Sequence, residues 1–485
     1  MDNYDKEFIL SLLPLIVDLD GTLIHTDILH ESALRLLRTN PFALLRIPYW
    51  LSRGKAALKE YLAKHTQLHL SSLPYNNDLL QWLKQQKTEG RKLILCTASD
   101  RSIADAVSEH LGIFDEVIAS DGSINLAGEK KAQALVARYG HAGFDYAGNS
   151  KVDIPVWQCA RKAVVVNASA KVAEKAEESC EIERVFPSLK SNFGTWCRVL
   201  RVHQWLKNVL LFIPLLAAHQ INSFDHWFML ILAFFAFSLC ASSVYIINDL
   251  MDLESDRLHP RKCKRPFASG QIPAWIGVVL APLLLFCSLL LARHVEGTFI
   301  FWLASYFILT CLYSWKLKRI VLVDCLVLSI LYTLRIIAGN SAIDTPMSFW
   351  LLTFSIFLFL SLALVKRYSE LKVQLQHGSK SAHGRGYYTS DGELIQMQGI
   401  TSGFAAVLVL TLYIHSDAIM KLYKIPELLW VEVPILLFWI NWMWLQAHRG
   451  KMHDDPLVFA VKDKVSLLAG LAFSFILVLG AVGLW

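Results

Sequence analysis

Two acidic residues near the N-terminus follow an apolar run in a pattern that suits phosphate chemistry. Asp18 and Asp20 come directly after Leu15–Val17 and are followed by Gly21 and Thr22. Two carboxylates one residue apart at the carboxyl end of a strand suit a phosphoryl-transfer site on an α/β sheet. The sequence therefore predicts such a site here.

A second acidic set ends a long apolar segment. Asp249, Asp252 and Asp256 are spaced three and four residues apart, so on a helix they form one stripe. Their mutual repulsion at a membrane boundary would be relieved by Mg²⁺, which prefers oxygen ligands and shares its shell with substrate phosphates. Lys262 and Arg265 follow and could donate to phosphate oxygens. A solvated helix end with a basic loop would explain these two cations, but not the acidic stripe.

Other polar residues of the back half lie within or beside apolar segments. Asp324 and Arg335 are eleven residues apart, close to three helical turns, so they share a helix face. They are expected to bind substrate, although a buried salt bridge between them would also explain their presence. The further expected substrate-binding residues are Asn248, Lys318, Tyr332, Lys366 and Arg367.

The composition changes near residue 205. Of the 485 residues, 54% are hydrophobic and 18% are charged, which excludes a disordered chain. Residues 1–205 hold 25 Lys and Arg with 24 Asp and Glu, whereas the rest of the chain holds 22 and 17. The nearly neutral front half has no glycine-rich nucleotide loop, which argues against nucleic-acid binding and nucleotide-driven transport. We expect a soluble front half and a membrane-embedded back half.

Nine apolar segments are predicted to span the membrane as helices. They cover residues 206–218, 227–250, 272–292, 298–315, 320–338, 348–365, 400–416, 428–446 and 465–485. The loops after the even-numbered segments hold 17 Lys and Arg, and the loops on the other side hold three. Because basic loops favour the cytoplasmic side, the front half is predicted to lie in the cytoplasm and the C-terminus outside the inner membrane.

Further pieces of the front half extend the first pattern. A second apolar strand ends at Thr97, Lys131 opens a helix after a turn, and a third strand leads to Asn149 and Asp153. In order and spacing, these pieces together with the first acidic pair resemble the haloacid-dehalogenase-like phosphohydrolases.

The resemblance implies a role for each matching residue. Asp18 would be the nucleophile that forms an aspartyl-phosphate, and Asp20 the general acid and base. Thr97 and Lys131 would neutralise the phosphate. Asp18, Asp153 and the backbone of Asp20 would hold Mg²⁺.

The same resemblance implies a Rossmann-like α/β domain with a small helical cap. The domain would cover residues 1–185, with the cap at about 27–75 and a linker at 186–203. Asn149 stands where the family often has Asp; it can still bind a metal or a water, but with less charge.

The segment from Asn248 to Gly270 reads NDLxDxxxDxxHPxKxxRPxASG. It resembles the first aspartate-rich signature of the UbiA-type polyprenyl-transferring superfamily, whose members are nine-helix, all-α membrane enzymes using Mg²⁺ and phosphorylated isoprenoids. The membrane domain would cover residues 204–485. Other members carry a second acidic motif after the sixth span, where this chain has the basic pair Lys366 and Arg367. Together with the fifth segment, which holds Asp324, Tyr332 and Arg335, this basic segment resembles the decaprenyl-phosphate phosphoribosyltransferase type.

This resemblance implies two linked reactions. The membrane domain would transfer 5-phosphoribose from phosphoribosyl diphosphate to a polyprenyl phosphate in the bilayer, with the acidic stripe holding the diphosphate through Mg²⁺. The front domain would then remove the 5-phosphate. The candidate cations for that phosphate in the membrane domain are Lys262, Arg265, Lys366 and Arg367.

Two other functions remain open from the sequence. One is transfer of a prenyl group from a prenyl diphosphate to a small aromatic acceptor, with a regulatory or separate phosphatase domain. The other is a lipid carrier or scaffold with a regulatory soluble domain. The sequence also leaves open whether copies of the chain form a homo-oligomer.

Overall fold

The computed structural model describes residues 13–121, 125–189, 191–376, 386–452 and 455–482. The chain separates into two compact units. The front unit comprises Met1–Leu200 and Tyr245–Ala281, and the back unit comprises Arg201–Val244 and Pro282–Trp485. The loop that carries the second acidic set therefore belongs to the front unit.

The front unit is built on one parallel sheet of six strands in the order β3-β2-β1-β4-β5-β6. The strands are β1 (Leu15–Val17), β2 (Leu93–Asp100), β3 (Glu116–Ser120), β4 (Asp145–Gly148), β5 (Lys162–Val166) and β6 (Glu181–Phe186). The central strands read as continuous apolar runs because helices cover both faces of the sheet. The chain order reverses between β1 and β4, and ligands of such sheets bind at the carboxyl ends of the strands flanking this reversal. Asp18 follows β1 at that point.

Short helices connect these strands, and several of them lie within residues 27–75, where the cap is predicted. The helices of the front unit up to residue 200 are α1 (Ile28–Thr39), α2 (Ile47–Ser52), α3 (Lys55–His65), α4 (Asn77–Thr88), α5 (Arg101–Leu111), α6 (Glu129–Tyr139), α7 (Ile154–Trp157), α8 (Ala170–Ser179) and α9 (Phe193–Val199). Asp27 caps α1 by accepting a hydrogen bond from the amide of Leu29, which fixes the start of the cap. Helices α1 and α3 share a small core of their own that includes Leu36, Tyr61 and Leu62. The helices predicted within residues 27–75 are therefore present.

The remaining helices are mostly long and apolar. They are α10 (Ile213–Ala217), α11 (Phe224–Met251), α12 (Leu253–Leu258), α13 (Ala274–Ala292), α14 (Phe299–Trp315), α15 (Val323–Ala342), α16 (Phe349–Gln376), α17 (Gly392–Ile414), α18 (Asp417–Leu422), α19 (Glu432–His448), α20 (Pro456–Lys462) and α21 (Lys464–Val482).

Seven helices in the described part of the chain are long and apolar enough to cross a membrane, and an eighth span is present if one bent pair counts as a single span. Seven of the nine predicted spans coincide with such helices. The first predicted span is instead a 3₁₀ segment, Val202–Phe212, that continues into the short helix α10. The fourth, α14, has only 17 residues. The chain is an integral membrane protein, but nine full-length spans are not confirmed.

A buried ion-pair network fixes the amino-terminal end of β4. Asp145 is fully buried; Arg161 donates to it through Nε at 2.9 Å, and Arg91 also contacts it. Arg91 in addition donates to Glu183 at 2.8 Å. Burying a carboxylate reduces the stability of a fold by several kcal/mol unless cations surround it. These arginines therefore compensate for the burial of Asp145 at the centre of the sheet.

Replacing Asp145 by Ala is expected to destabilise the sheet by about 3 kcal/mol, because Arg91 and Arg161 lose their buried partner. Amide hydrogen exchange of β4 and β5 in the full-length protein measures the effect. Glu181→Ala is the control, since it removes only the exposed pair with Lys162 and should cost less than about 1 kcal/mol. Equal protection loss in the two variants would contradict the prediction.

Candidate active sites

The predicted phosphoryl-transfer residues come together at the carboxyl ends of β1 and β4. Lys131, at the start of α6, donates through Nζ to Oδ1 of Asp18 at 2.8 Å and to the hydroxyl of Tyr146 at 2.9 Å. That hydroxyl donates to Oδ1 of Asp153 at 2.8 Å. One buried chain of hydrogen bonds therefore joins Asp18, Lys131 and Asp153, and Tyr146 is a member that the sequence did not reveal.

Asp20 is held by donors from two other elements. The amide of Ile28 donates to its Oδ1 at 2.8 Å, and the hydroxyl of Ser99 donates to its Oδ2 at 2.7 Å. The first of these donors opens cap helix α1, so the cap and Asp20 are tied together. Ser99 follows Thr97, whose buried hydroxyl accepts from the Ser99 amide at 3.0 Å. Ser99 was not singled out from the sequence.

The loop after β4 packs against the turn after Asp20. Gly21 has a φ of +73°, and a Cβ at this position would lie 2.0 Å from Nδ2 of Asn149. Only glycine tolerates both the backbone conformation and the contact. Asp153 accepts from the amides of Asn149 at 3.1 Å and Ser150 at 3.0 Å, so its carboxylate anchors this loop.

The charge balance at this site is negative. Burial raises the pKa of Asp18 to about 7, with Asp153 and Asp20 adding to the rise and Lys131 opposing it. The pKa of Asp20 is raised as well, mainly by burial and then by Asp27. The neighbouring carboxylates exceed what Lys131 can neutralise, so a further cation would be stabilised there.

The residues of this site fit Mg²⁺ through a mixed set of carboxylate, amide and backbone oxygens. Within the described ranges, no group of three His, Cys, Asp or Glu side chains could hold a metal ion. A site here would therefore combine the carboxylates of Asp18 and Asp153 with the amide oxygen of Asn149 and the backbone carbonyl of Asp20. All of these are hard oxygen ligands of the kind that Mg²⁺ prefers.

The second acidic set lies at the junction of two helices. Helix α11 ends at Met251 and α12 begins at Leu253, but helical hydrogen bonds continue through Asp252: its amide donates to the carbonyl of Asn248 at 2.9 Å, and its carbonyl accepts from the amide of Asp256 at 2.8 Å. Asp249 and Asp256, both buried, converge on one guanidinium, with Nη1 of Arg265 donating to Oδ1 of Asp249 at 3.0 Å and also to Asp256.

Arg265 is therefore bound to the acidic pair, whereas the sequence predicted a phosphate donor. Lys262 lies 3.8 Å from Oδ1 of Asp256, an atom that is buried without a hydrogen bond. Burial raises the pKa of Asp256 even though Arg265 opposes the rise. Such an oxygen could serve a cation, so Mg²⁺ binding by Asp249 and Asp256 remains a prediction. Asn248 and Asp252 lie beside them, half-buried.

In the back unit, several polar residues converge on a carboxylate that the sequence analysis missed. Lys207 donates to Oδ2 of Asp455 at 2.7 Å, and Lys366 approaches the same atom at 3.4 Å. The hydroxyl of Tyr332 donates to it at 3.2 Å. Burial alone would raise the pKa of Asp455, but Lys207 and Lys366 lower it below its ordinary value. We call Lys207, Tyr332, Lys366 and Asp455 the lysine cluster. The available signal was that loop 447–464 holds three Asp, at positions 454, 455 and 463, beside its four Lys and Arg.

Arg367 and Asp324 form a separate buried pair. Nη2 of Arg367 lies 2.5 Å from Oδ2 of Asp324, and the hydroxyl of Tyr387 donates to Oδ1 at 2.5 Å. Arg367 also contacts Glu370 and is fully buried. It is therefore engaged in the fold of the unit, in contrast to the phosphate donor that the sequence predicted.

The salt bridge considered between Asp324 and Arg335 is not formed. Nε of Arg335 donates to Asn208 at 2.9 Å, and Nη2 donates to the hydroxyl of Tyr306 at 3.1 Å. Lys318 lies half-buried in the short turn Leu317–Arg319. Helical spacing placed Asp324 and Arg335 on one helix, but their partners come from other helices.

Replacing Asp455 by Asn is expected to destabilise the back unit by about 3 kcal/mol, because Lys207 and Lys366 lose their shared counter-charge. Folding lowers the pKa of Asp455 below its ordinary value of 3.8. Its ion pairs therefore stabilise the folded protein fully at pH values above 3.8, and this stabilisation is lost as the pH falls below that value. Thermal unfolding in detergent should show the same deficit at pH 7 and pH 5 and a smaller one below about pH 4. Asp417→Asn, at an exposed position, is the control. A deficit that already shrinks between pH 7 and pH 5 would contradict this assignment.

Two family models match different parts of the chain. The model of the UbiA prenyltransferase family matches residues 209–468, and the model of haloacid dehalogenase-like hydrolases matches residues 15–158. An uncharacterized protein of Sinorhizobium fredii is 38% identical over 97% of this chain and 90% of its own length. The decaprenyl-phosphate phosphoribosyltransferase of Mycolicibacterium smegmatis is 32% identical over 57% of this chain and 89% of its own length. The solved structure of a UbiA homolog from Archaeoglobus fulgidus, bound to GPP and Mg²⁺, covers 59% of this chain and 99% of that one, with 17% identity and a TM-score of 0.45.

Proposed function

Because the chain belongs to the UbiA prenyltransferase family and carries an N-terminal haloacid dehalogenase-like domain, we propose that it makes a lipid-linked pentose in two steps. The membrane domain transfers 5-phosphoribose from phosphoribosyl diphosphate to a polyprenyl phosphate. The front domain then hydrolyses the 5-phosphate. Both steps take place at the cytoplasmic face of the inner membrane.

The lysine cluster is the observation that best supports the first step of this proposal. Lys366 stands where other family members are expected to have acidic residues, and Lys207 and Lys366 share the single carboxylate of Asp455. The cluster thus has an excess of positive charge, which suits a phosphate monoester better than a second metal ion. The similarity to the decaprenyl-phosphate phosphoribosyltransferase of Mycolicibacterium smegmatis supports phosphoribosyl transfer to a polyprenyl phosphate.

The transfer itself needs no general base. An oxygen of the polyprenyl phosphate is already anionic at neutral pH, and it attacks C1 of the ribose while the bond from C1 to the diphosphate breaks. Asp249 and Asp256 would hold Mg²⁺, which supplies neutralising charge to the departing diphosphate. The protein therefore acts by positioning both substrates and stabilising the leaving group.

The hydrolysis uses the two front carboxylates in sequence. Asp18 attacks the phosphorus of the 5-phosphate, and the departing C5 oxygen takes a proton from Asp20, whose raised pKa suits a general acid. Asp20 then takes a proton from the water that hydrolyses the aspartyl-phosphate. Lys131, bonded to Asp18, neutralises charge on the transferring phosphoryl group, and Mg²⁺ bound by Asp18 and Asp153 would keep the nucleophile ionised.

Replacing Asp18 by Asn is expected to stop the sequence after the first step. Membranes that contain the variant, given labelled phosphoribosyl diphosphate and polyprenyl phosphate, should accumulate a lipid that still carries the 5-phosphate, with hydrolysis reduced by about 10³-fold or more. Mass spectrometry of extracted lipids measures this. Asp100→Asn is a matched control, because Asp100 ends β2 and caps α5, a role that Asn also fills. A dephosphorylated lipid in the Asp18 variant would refute the phosphatase assignment.

Replacing Asp249 by Asn is expected to reduce transfer by about 100-fold, through loss of one ligand for the diphosphate-bound metal. Hydrolysis of p-nitrophenyl phosphate by the same preparation should change little, which shows that the protein is folded. Asp225→Asn, in the first turn of the same helix, should retain transfer. Incorporation of label from a prenyl diphosphate into an aromatic acceptor would instead favour ordinary prenyl transfer.

A further inference from the structure

The phosphatase residues open into a cavity of about 500 Å³ in the front unit. Asp18, Asp20 and Lys131 are among the residues that line it. That volume lies in the range of about 300–1,000 Å³ typical of small-molecule sites, so it has room for more than a phosphate. The rest of the lining decides which molecule can carry that phosphate.

Part of the cavity wall comes from the loop and helix that follow the acidic signature. Gly270, Gln271, Pro273 and Trp275 all line the cavity, although they are more than 250 residues from Asp18 in sequence. Trp275 lies in the first turn of α13 and is 48% exposed. Helix α13 has a mean hydropathy of 2.5 and qualifies as a membrane span.

Tryptophan in the first turn of a spanning helix is typical of the membrane–water interface, where its amphipathic ring is stabilised. Pro273 and Trp275 therefore have the sequence position of residues at a membrane–water interface, and both line the phosphatase cavity.

Buried ion pairs hold the wall against the phosphatase cap. Arg257 donates through both Nη atoms to Glu31 of α1, at 2.7 and 2.9 Å, and each side chain is only 6% exposed. Nε of Arg257 donates to the carbonyl of Ala268 at 3.2 Å, which supports the loop just before Gly270. Arg35, one turn after Glu31, binds Glu254 at 2.7 Å. Bidentate pairs of this kind fix orientation as well as distance.

The loop also fits closely at Gly270. This residue has a φ of +75°, and a Cβ added to it would lie 2.5 Å from Cβ of His25. Close packing of backbone against His25 therefore requires glycine at this position. His25 itself lines the cavity, so the loop and the phosphatase domain share a packed surface at the site.

We propose that Gly270–Trp275 is the substrate-selecting wall of the phosphatase, and that it selects a phosphate monoester carried on a membrane lipid over the same ester free in solution. This rests on the proposed phosphatase activity and adds its substrate class. Trp275 acts as a specificity residue through contact with the lipid-side part of the substrate, and takes no part in the chemistry.

The test uses the full-length protein in phosphatidylcholine nanodiscs and two matched substrates. One is dodecyl-phosphoryl-ribose 5-phosphate, which partitions into the bilayer, and the other is its soluble methyl analogue. The wild-type protein should hydrolyse the dodecyl ester with a kcat/KM at least about tenfold higher. Trp275→Ala should lose most of this preference, about tenfold for a well-packed aromatic contact, with the methyl ester hydrolysed within about twofold of wild type. Trp315→Ala removes another exposed tryptophan and should keep the preference.

A second variant addresses the loop as a whole. Gly270→Ala should also remove the preference, because the new Cβ displaces the loop from His25. Gly140→Ala is its matched control, since Gly140 has a φ of +81° but no atom within 4 Å of the added Cβ.

The possible results distinguish the inference about the cavity wall from the assignment of phosphatase activity. Equal hydrolysis of the two esters by the wild type, or a preference that survives in both Trp275→Ala and Gly270→Ala, overturns the inference while the phosphatase assignment stands. Failure of the wild type to hydrolyse either ester overturns the phosphatase assignment and the inference with it.

Discussion

A carboxylate removed from water must be surrounded by cations or hydrogen-bond donors, and this constraint organises both units. The penalty for an isolated buried charge is several kcal/mol, comparable to the whole stability of a domain. In the front unit, Asp18 is met by Lys131, and Asp145 by Arg91 and Arg161. In the back unit, Asp455 is met by Lys207 and Lys366.

The degree of compensation separates structural pairs from candidate sites. Asp145 has two arginines, and Asp324 has Arg367 with a tyrosine hydroxyl, so these carboxylates are well neutralised. Asp18 instead shares one lysine with a buried neighbourhood that contains two further carboxylates, and its pKa is raised as a result. Incomplete compensation is the state in which binding of a cation gains the most free energy.

The lysine cluster shows the opposite imbalance. Two lysines share one carboxylate there, so the excess charge is positive and suits an anionic ligand. The two candidate sites therefore lack opposite charges. The site at Asp18 lacks positive charge, and the lysine cluster lacks negative charge.

Much of the front unit could be predicted because its chemistry is ordered along the chain. Asp18 and Asp153 follow strands, Thr97 lies near the carboxyl end of β2 and Lys131 lies in the first turn of α6, and parallel strands bring their carboxyl ends to one edge. Ser99 and Tyr146 could not be identified in this way. Their roles depend on which side chains the sheet brings together, and Ser and Tyr are too common to stand out.

The back half was less predictable, because helix periodicity shows which residues share a helix face but not which residues of other segments they contact. Asp324 and Arg335 share a helix, yet their partners are Arg367 and Asn208 from other segments. The predicted acidic stripe brings Asp249 and Asp256 together, but their shared partner Arg265 could not be read from helical spacing. Two of the nine predicted spans are not confirmed. One is a helix that is too short, and the other is a 3₁₀ segment followed by a helix of five residues.

One short stretch of chain links the two chemistries. Between residues 249 and 275 it supplies Asp249 and Asp256 to the acidic pair, Arg257 to the phosphatase cap, and Trp275 to the phosphatase cavity. Arg257 is the direct neighbour of Asp256, so the acidic pair and the ion pair to Glu31 are formed by consecutive residues.

Such a link matters for a product that stays in the membrane. A lipid-linked phosphate diffuses in two dimensions and cannot be captured efficiently by an enzyme free in solution, whereas a tethered second site meets it at a high effective concentration. Tethering alone would still leave the phosphatase open to soluble sugar phosphates. Under the proposal, a cavity wall built from the first turn of a membrane span would add selectivity, because a substrate anchored in the bilayer would contact both Asp18 and Trp275.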